Sequence, residues 1–318
     1  MSGVGDPGRI YEEFRQGATI VLQGLQRSSE PVARFCRSLE LELTSPVQAN
    51  AYVTPPGARG LGVHYDTHDV FVLQVAGAKV WAVHEPVFED PLPSQPWHAG
   101  RGEPGPAILE AELRAGDCLY VPRGFLHSAE AQEEMSAHLT VGVLCQTWFD
   151  VLRSVVDEAA ADPAFRRSLP PGYASDEAGL ATGVASAIGQ LRDWLEKADP
   201  EEAARRLAER FWTGRTPILA GQLRQLLRLD ELGDGTVLRC RSGSVCHLVA
   251  GADRVTVHLG DRRLEMPAAL APVLRRIVAT GADGFRVGDL ADQLDGPSRV
   301  VLARRLVREG LLEAAHGD

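Results

Sequence analysis

The sequence of 318 residues predicts an α+β chain in three parts: a small β-barrel over residues 1–146, a helical block over 147–230 and a mixed block over 231–318. Strand-type runs separated by turns fill the first part. The apolar period becomes helical after Thr147, and strand-type runs return after residue 235. A chain of this length is too long for one small core, so two or three domains are expected.

The composition excludes some classes of protein. Hydrophobic residues make up 44% and charged residues 24%, as in soluble globular proteins. The formal net charge of −10 argues against a general nucleic-acid binder, because phosphate contacts need a basic surface. An acidic surface would instead attract a basic polypeptide.

The sequence also bears on localisation. It contains no run of about 18 apolar residues, so no membrane-spanning helix is expected. The start, Met1 to Arg9, lacks the apolar stretch of a signal peptide. The five cysteines are odd in number and form no Cys-x-x-Cys, which indicates reduced thiols. We therefore expect a cytoplasmic protein without membrane contact.

The elements of the first part follow from local patterns. A short helix is predicted over 9–16 and a strand over 18–22. Ser29 is predicted to cap a helix that contains Pro31 and runs to Leu43. Strand-type runs follow at 47–53, 70–75, 79–84, 108–113 and 136–144. Residues 91–105 are rich in Pro and Gly and predict a long loop of the kind that often borders an active site.

A His-x-Asp pair is the centre of the predicted barrel. On a strand, His64 and Asp66 would point to one face. His127 ends a turn, strand and turn that would bring a second imidazole beside them. Two imidazoles and one carboxylate on one face of an octahedral ion suit non-haem Fe(II) in oxygen chemistry. An isolated His-x-Asp pair is weak evidence for a metal site, because a surface strand with a hydrogen-bonded histidine shows the same pattern.

The neighbours of this pair strengthen the metal-site interpretation. Lys79 follows His64 by fifteen residues and Asn50 precedes it by fourteen, spacings on which a small barrel would converge. Lys79 is one of two lysines beside 31 arginines, and a surface lysine after a hairpin glycine is the alternative. His68 and Asp69 compete as ligands, although we expect His68 to face the substrate or support the ligands. His138 is expected in the core or behind the ligands.

These segments resemble the JmjC-type ribosomal oxygenases, a cupin-like branch of the 2-oxoglutarate-dependent dioxygenases. The resemblance covers residues 17–142 at motif level. Its matching residues are Asn50, Tyr52, Thr54, Pro55, His64, Asp66, Phe71, Gln74, Gly77, Lys79, Trp81, Gly116, Asp117, Tyr120, Pro122, Arg123, Gly124, His127, Ser136, His138 and Thr140.

The resemblance implies a double-stranded β-helix, which is a jelly-roll barrel of the JmjC/cupin type. It implies Fe(II) on His64, Asp66 and His127. It implies 2-oxoglutarate as cosubstrate, with its far carboxylate on Lys79. Asn50, Tyr52 and Thr140 are expected to assist cosubstrate binding.

The resemblance further implies hydroxylation of a protein side chain, with Arg or His of a ribosomal protein as the target. A tailoring hydroxylase of a peptide or amino acid remains an alternative. A non-catalytic cupin-type binding module is a third possibility, which the complete ligand set and Lys79 disfavour.

The helical block carries several apolar faces. Helices are predicted over 148–160, 181–195, 201–212 and 216–229. Their apolar faces include Leu191, Trp194 and Leu195, and then Leu207, Phe211 and Trp212. The resemblance implies a dimerisation module, so we expect a homodimer, and a helical cap on the barrel is the alternative.

The last block predicts strands over 237–241, 246–250 and 254–259, helices over 267–279, 287–294 and 297–309, and a strand over 311–314. This order resembles a winged helix, whose second and third helices would enter a DNA groove. Asp289, Asp292 and Asp295 crowd that region, so we expect a protein-contact or structural role. Cys240 and Cys246 fit no strong zinc pattern, and two core thiols are expected.

Overall fold

The computed structural model describes residues 5–281 and 283–315, and they form two compact units. The first unit takes in the described residues up to Cys145 together with 217–244 and those from Val273 onward. The second unit combines Gln146–Thr216 with Val245–Pro272. The break after Cys145 lies one residue before the predicted end of the barrel. The division into three domains stays a prediction, because compactness alone does not show which segments fold independently.

Eight antiparallel strands build the barrel of the first unit. They are β1 (Ile20–Leu22), β2 (Val47–Thr54), β3 (Asp69–Ala76), β4 (Ala78–His84), β5 (Ala107–Arg114), β6 (Cys118–Val121), β7 (Leu126–Ala131) and β8 (Ser136–Val143). One sheet has the order β1-β2-β8-β3-β6 and the other the order β5-β4-β7. The order is non-sequential, and the chain crosses between the two sheets after β3, β5, β6 and β7, as in a jelly roll.

Side-chain alternation sets what the barrel encloses. In β4, Lys79, Trp81 and Val83 are buried while the residues between them are partly exposed. A lysine therefore occupies a position in a series that otherwise buries apolar side chains. Ser136, His138 and Thr140 alternate in the same way at the start of β8 and are also buried. The interior is consequently apolar in its packing but carries a few polar groups.

One helix precedes the first barrel strand, and a second lies between β1 and β2. They are α1 (Pro7–Arg15) and α2 (Glu30–Leu43). Cys36 of α2 joins the core cluster of Val47, Ala49 and Val141. Beside it, Arg37 donates to Glu40 at 2.8 Å, and Glu40 also accepts from the Val47 backbone N–H at 3.2 Å. This buried ion pair fixes α2 against the first residue of β2.

The remainder of the first unit is a small mixed layer. It comprises α6 (Gln222–Leu227), β9 (Val237–Cys240), most of α7 (Ala271–Thr280), β13 (Phe285–Arg286), α8 (Gly296–Arg308) and β14 (Leu312–Ala314). Its sheet has the order β13-β9-β14. Arg241 is 5% exposed and donates to the carbonyls of Gly310 and Ala220 and to Gln222. Its guanidinium thereby satisfies loop carbonyls that would otherwise be buried without a donor.

The second unit is helical with one small sheet. Its elements are α3 (Trp148–Glu158), α4 (Glu177–Leu195), α5 (Pro200–Thr213), β10 (His247–Ala250), β11 (Arg254–His258) and β12 (Arg263–Pro267). Trp212 of α5 stacks on His247 with ring centroids 4.4 Å apart. Arg263 pairs with Glu209 at 3.0 Å. Among the described helices of both units, none is long and apolar enough to cross a membrane.

The predicted strands agree with observed strands to within about two residues, but β7, β12 (Arg263–Pro267) and β13 were not predicted, and three other elements differ. His64 and Asp66 lie outside the regular strands, and strand β3 begins only at Asp69. The helix predicted over 216–229 is confined to α6, because the left-handed Gly221 precedes it. The helix predicted over 287–294 is a short 3-10 turn at Val287–Leu290. In each case tertiary packing determines the backbone more than the local apolar period does.

The hairpin between β3 and β4 generates a stability prediction. Gly77 has φ +61°, and a Cβ there would lie 2.2 Å from the Met135 carbonyl oxygen. The left-handed backbone costs a residue with a Cβ about 1–2 kcal/mol, and the clash adds to this. We expect Gly77→Ala to lower the free energy of unfolding in urea by more than about 2 kcal/mol.

Gly57→Ala is the matched control. Gly57 has φ +64°, but nothing lies within 4 Å of its added Cβ. It should lose only the backbone cost of about 1–2 kcal/mol. Equal losses in the two variants would show that the Met135 carbonyl moves aside.

Candidate active site

A single antiparallel bridge brings the two predicted histidine ligands together. The His64 N–H donates to the His127 carbonyl at 3.1 Å, and the His127 N–H donates to the His64 carbonyl at 2.8 Å. The ring centroids are 4.5 Å apart. The sequence predicted these residues as neighbours but placed His64 within a strand. The bridge is isolated, and it joins the segment before β3 to strand β7.

Both imidazoles are oriented by their own backbone. Nδ1 of His64 lies 2.8 Å from the Gly62 carbonyl, and Nδ1 of His127 lies 3.0 Å from the Phe125 carbonyl. A carbonyl only accepts, so each Nδ1 carries the proton and each Nε2 keeps a free lone pair. The backbone therefore prepares two nitrogen ligands of the same tautomer.

Asp66 completes the group. Its Oδ2 lies 3.7 Å from Nε2 of His127. One ligand atom from each of His64, Asp66 and His127 lies within 4.8 Å of the others, and among the described residues no other such group of three occurs. Burial, followed by the neighbouring His64, lowers the pKa of His127 to about 4. The contact with Asp66 is therefore between a neutral imidazole and a carboxylate at neutral pH, a pair suited to a cation between them.

The competing residues have other partners. Nε2 of His68 lies 3.2 Å from the side-chain nitrogen of Gln48. Asp69 accepts from the Arg123 backbone N–H at 2.9 Å and from the Cys145 thiol at 3.3 Å. Neither belongs to the metal-binding group. His68 and Asp69 thus support the segment that follows the ligands.

Lys79 is the buried cation of the same cavity. Its side chain is 2% exposed, and its Nζ donates to Thr54 Oγ1 at 2.8 Å. No carboxylate pairs with it within the residues that the structure describes. Burial lowers the pKa of Lys79 to about 8. A lysine held this way lacks an anionic partner, and a ligand carboxylate would supply one.

The cavity lies between the two sheets of the barrel. Its empty space, open solvent at the mouth included, is about 480 Å³. Its lining consists of Thr19, Tyr52, Gly60, Leu61, His64, Asp66, Val70, Val72, Lys79, Trp81, His127, Ser128, Ala129, His138 and Thr140. The metal-ligating group and Lys79 therefore share one small-ligand space.

Of the predicted cosubstrate residues, Tyr52 and Thr140 line this cavity and Asn50 does not. Asn50 Oδ1 accepts from the Gly24 N–H at 2.9 Å. Tyr52 stacks on His138 with centroids 4.9 Å apart. Asn50 is therefore engaged with the backbone of the segment after β1 and does not line the cavity.

Sequence reasoning missed several cavity residues. Thr19 precedes β1 and Ser128 lies in β7. Thr54, which binds Lys79 but does not line the cavity, ends β2. Hydroxyl residues are too common in strands to carry a signal alone. Thr54 belongs to the residues that carry the family resemblance. Its contact with Lys79 joins strands of different sheets, so the sequence does not predict it.

The residues present fit a divalent metal with a small polar ligand. The donor set is two imidazole nitrogens and one carboxylate, the composition of the facial triad of non-haem Fe(II) sites. Two buried polar atoms of cavity residues, His138 Nδ1 and Trp81 Nε1, have no hydrogen-bond partner among the described residues. Polar atoms of this kind are expected to face a polar ligand.

Comparisons with known proteins relate the barrel to a known family of domains. Residues 22–151 match the family model described as the JmjC domain. The chain is 36% identical over 177 residues to ribosomal oxygenase 1 of Bos taurus, covering 52% of this chain and 26% of that protein. It is 35% identical over 187 residues to the bifunctional lysine-specific demethylase and histidyl-hydroxylase NO66 of Branchiostoma floridae, covering 56% and 27%. The chain thus spans about a quarter of the length of these curated relatives.

A solved structure covers more of the chain. The crystal structure of Escherichia coli ribosomal oxygenase YcfD aligns with 93% of this chain and 78% of that chain, with a TM-score of 0.55 and 20% identity. A structure of the same protein in complex with cobalt and 2-oxoglutarate aligns with 94% and 78%, with a TM-score of 0.52 and 20% identity. These likenesses establish the fold.

The fold and the matched residues point to the same family. The strand order is that of a jelly roll, and the match over residues 22–151 includes His64, Asp66 and His127. Residues 22–151 are similar to the JmjC domain, and the chain is similar to the ribosomal oxygenases.

Proposed function

We propose that this protein is an Fe(II)- and 2-oxoglutarate-dependent dioxygenase that hydroxylates a protein side chain, with Arg or His of a ribosomal protein as its target. One observation carries the proposal. A two-histidine, one-carboxylate group and a buried lysine without a carboxylate partner among the described residues line the same cavity. A metal alone would need only the first, whereas a metal with a dicarboxylate cosubstrate needs both.

The proposed roles follow from these positions. His64 and His127 would bind Fe(II) through Nε2, and Asp66 would bind it through a carboxylate oxygen. The bound iron would supply oxygen activation coupled to decarboxylation of 2-oxoglutarate. Lys79 would bind the far carboxylate of the cosubstrate, and Tyr52 and Thr140 would offer hydroxyls along its length. Val70, Val72 and Trp81 line the same space, and they would exclude water and strengthen the Lys79 pair.

The relatives support the choice of cosubstrate and substrate. The E. coli protein has been solved with cobalt and 2-oxoglutarate, and the names of the relatives include ribosomal oxygenase and histidyl-hydroxylase. The net charge of −10 favours a basic polypeptide, such as a ribosomal protein segment. A tailoring hydroxylase would use the same site on a smaller substrate. A non-catalytic module would have no use for a buried lysine in the metal cavity.

The charge pattern of α8 supports a protein contact over nucleic acid. Arg299 donates to Asp234 at 2.7 Å, Arg304 lies 3.7 Å from Asp230, and Arg305 lies 2.9 Å from Glu309. Three arginines of the predicted recognition helix are thus neutralised within the protein. Cations that are already paired within the protein contribute less to phosphate contacts.

A homodimer through the helical block is the assembly we propose. The exposed fractions of Trp148, Phe149, Leu152 and Val156 on α3 are 82%, 55%, 63% and 40%. These positions fall on one side of the helix and make an exposed apolar face, a feature that often marks an interface. The sequence also predicted an apolar face with Phe211 and Trp212 of α5. Both residues are half-buried, and Trp212 is stacked on His247. The cytoplasmic location stays a prediction from the cysteines and the N-terminal sequence.

The function itself is tested by mass spectrometry. The purified protein is incubated with Fe(II), 2-oxoglutarate, oxygen and ribosomal proteins, and the products are examined for a gain of one oxygen atom. We expect this gain on an Arg or His side chain, together with succinate. Turnover of free amino acids or short non-ribosomal peptides alone would favour the tailoring hydroxylase.

The metal-ligating group predicts a loss of iron. His64→Ala, Asp66→Ala and His127→Ala should each abolish iron binding and uncoupled 2-oxoglutarate turnover while the circular dichroism spectrum stays that of the folded protein. His68→Ala is the control and should retain iron, because His68 is engaged with Gln48. Full 2-oxoglutarate decarboxylation by Asp66→Ala would contradict the assignment.

The position of Lys79 predicts its effect on the affinity for 2-oxoglutarate. Lys79→Ala removes a charge-assisted pair of the kind that contributes about 1.5–3 kcal/mol. We expect about ten- to a hundredfold weaker binding of 2-oxoglutarate. Lys197→Ala is the matched control, since it removes the other, exposed lysine. An unchanged affinity in Lys79→Ala would place the anchor on an arginine.

The exposed face of α3 predicts the assembly. Light scattering over a range of protein concentrations should give the mass of a dimer for the wild type. Leu152→Asp should give a monomer, because a charge in an apolar interface is costly to desolvate. Val301→Asp replaces an equally exposed valine of α8, 66% exposed, and should leave the dimer intact. A wild-type monomer at every concentration would reject the homodimer.

A further inference from the structure

A chain of hydrogen bonds connects Lys79 to a threonine that no motif singles out. Thr54 Oγ1 accepts from Lys79 Nζ at 2.8 Å and lies 3.0 Å from Thr19 Oγ1. Thr54 ends β2 and is fully buried, Lys79 lies in β4 of the other sheet, and Thr19 directly precedes β1. The three side chains reach one point from three separate parts of the barrel.

The chemistry of the groups fixes the direction of the first bond. An ammonium group only donates, so the Thr54 oxygen is the acceptor from Lys79. Either hydroxyl can be the donor between Thr54 and Thr19. When Thr54 donates its single proton to Thr19, the proton of Thr19 is left without a role in this chain. Thr19 lines the cavity and Thr54 does not, so the Thr19 hydroxyl can donate into the cavity.

Gly60 keeps the space between these donors open. A Cβ on Gly60 would lie 3.6 Å from Thr19 Oγ1 and 3.7 Å from Lys79 Nζ. A side chain there would therefore stand against both donors at once. The hydroxyl of Thr19, the ammonium of Lys79 and the bare backbone of Gly60 form a cradle, which we call the anchor cradle.

We propose that Thr19 is a second hydrogen-bond donor to the far carboxylate of 2-oxoglutarate, that Thr54 is a positioning residue for Thr19 and Lys79, and that Gly60 leaves room for that carboxylate in the anchor cradle. The inference rests on the proposed function and deepens it. A carboxylate has two oxygens, so it accepts from an ammonium and a hydroxyl together. The pair of donors also selects against 2-oxo acids that lack the second carboxylate.

The test measures binding and not turnover. Calorimetry without oxygen, with Mn(II) in place of Fe(II), gives the affinity for 2-oxoglutarate and for 2-oxobutyrate, which lacks the far carboxylate. Thr19→Val should bind 2-oxoglutarate about tenfold more weakly, as expected for a lost hydrogen bond to a charged group. Its affinity for 2-oxobutyrate should stay that of the wild type. Thr19→Ser keeps the hydroxyl and should keep both affinities.

Gly60→Ala tests the room in the anchor cradle. The added methyl makes only ordinary van der Waals contacts, so the fold should persist, yet it takes the volume that the carboxylate needs. We expect about tenfold or greater loss of 2-oxoglutarate affinity with unchanged 2-oxobutyrate affinity. Gly105→Ala is the matched control, because nothing lies within 4 Å of its added Cβ.

Thr54→Val tests the positioning role. It removes the acceptor of Lys79 and the donor to Thr19 without a change in volume. The selective loss for 2-oxoglutarate should appear again, and adding Thr19→Val should cost less in this background than in the wild type. Full additivity of the two losses would contradict the chain of hydrogen bonds.

The outcomes separate this inference from the proposed function. A wild type that binds 2-oxoglutarate, with Thr19→Val equal to it, overturns the role of Thr19 alone. Equal weakening of both ligands in Thr19→Val, with a lower unfolding temperature, shows a structural role and also overturns it. A wild type that binds Mn(II) but not 2-oxoglutarate overturns the proposed function itself.

Discussion

The isolated bridge between His64 and His127 is the contact on which the site depends. Two backbone hydrogen bonds of 3.1 and 2.8 Å join residues that are sixty-three positions apart. They fix the separation of the imidazoles before any metal binds. The two internal carbonyl contacts then fix the tautomer of each ring. A ligand set that is ordered by backbone contacts has little entropy to lose on binding an ion.

A second constraint is the burial of Lys79. An ammonium group at 2% exposure in an apolar barrel lowers its own pKa to about 8 and costs folding free energy. Thr54 offsets part of that cost through one hydrogen bond, and a bound carboxylate would offset more. The burial of Lys79 therefore lowers folding stability at the position where an anionic cosubstrate would gain most binding free energy. The same burial, aided by Lys79, lowers the pKa of His138 to about 3, so that His138 remains neutral beside the ammonium.

Two helices outside the barrel, α8 and α3, differ in whether their side chains already have partners within their own unit. In the first unit, α8 carries arginines that are largely paired with carboxylates of their own unit. In the second unit, α3 presents aromatic and aliphatic side chains to solvent, whereas α5 turns Trp212 onto His247. Both helices read as amphipathic in the sequence. Only the tertiary structure shows which apolar face is already covered within its unit and which is free for a second copy.

The sequence by itself predicted most of the barrel strands, the candidate metal ligands His64, Asp66 and His127, and the candidate lysine. Strand alternation and motif spacing are local properties, and they survive folding because the jelly roll buries alternate residues in β4 and at the start of β8. Only the tertiary structure decided that Asn50 binds the Gly24 backbone, that His64 lies on an isolated bridge, and that Thr19 and Thr54 lie beside Lys79. These contacts join strands of different sheets or segments far apart in the chain. Their partners are set by the strand order of the barrel, which residue patterns along the chain do not encode.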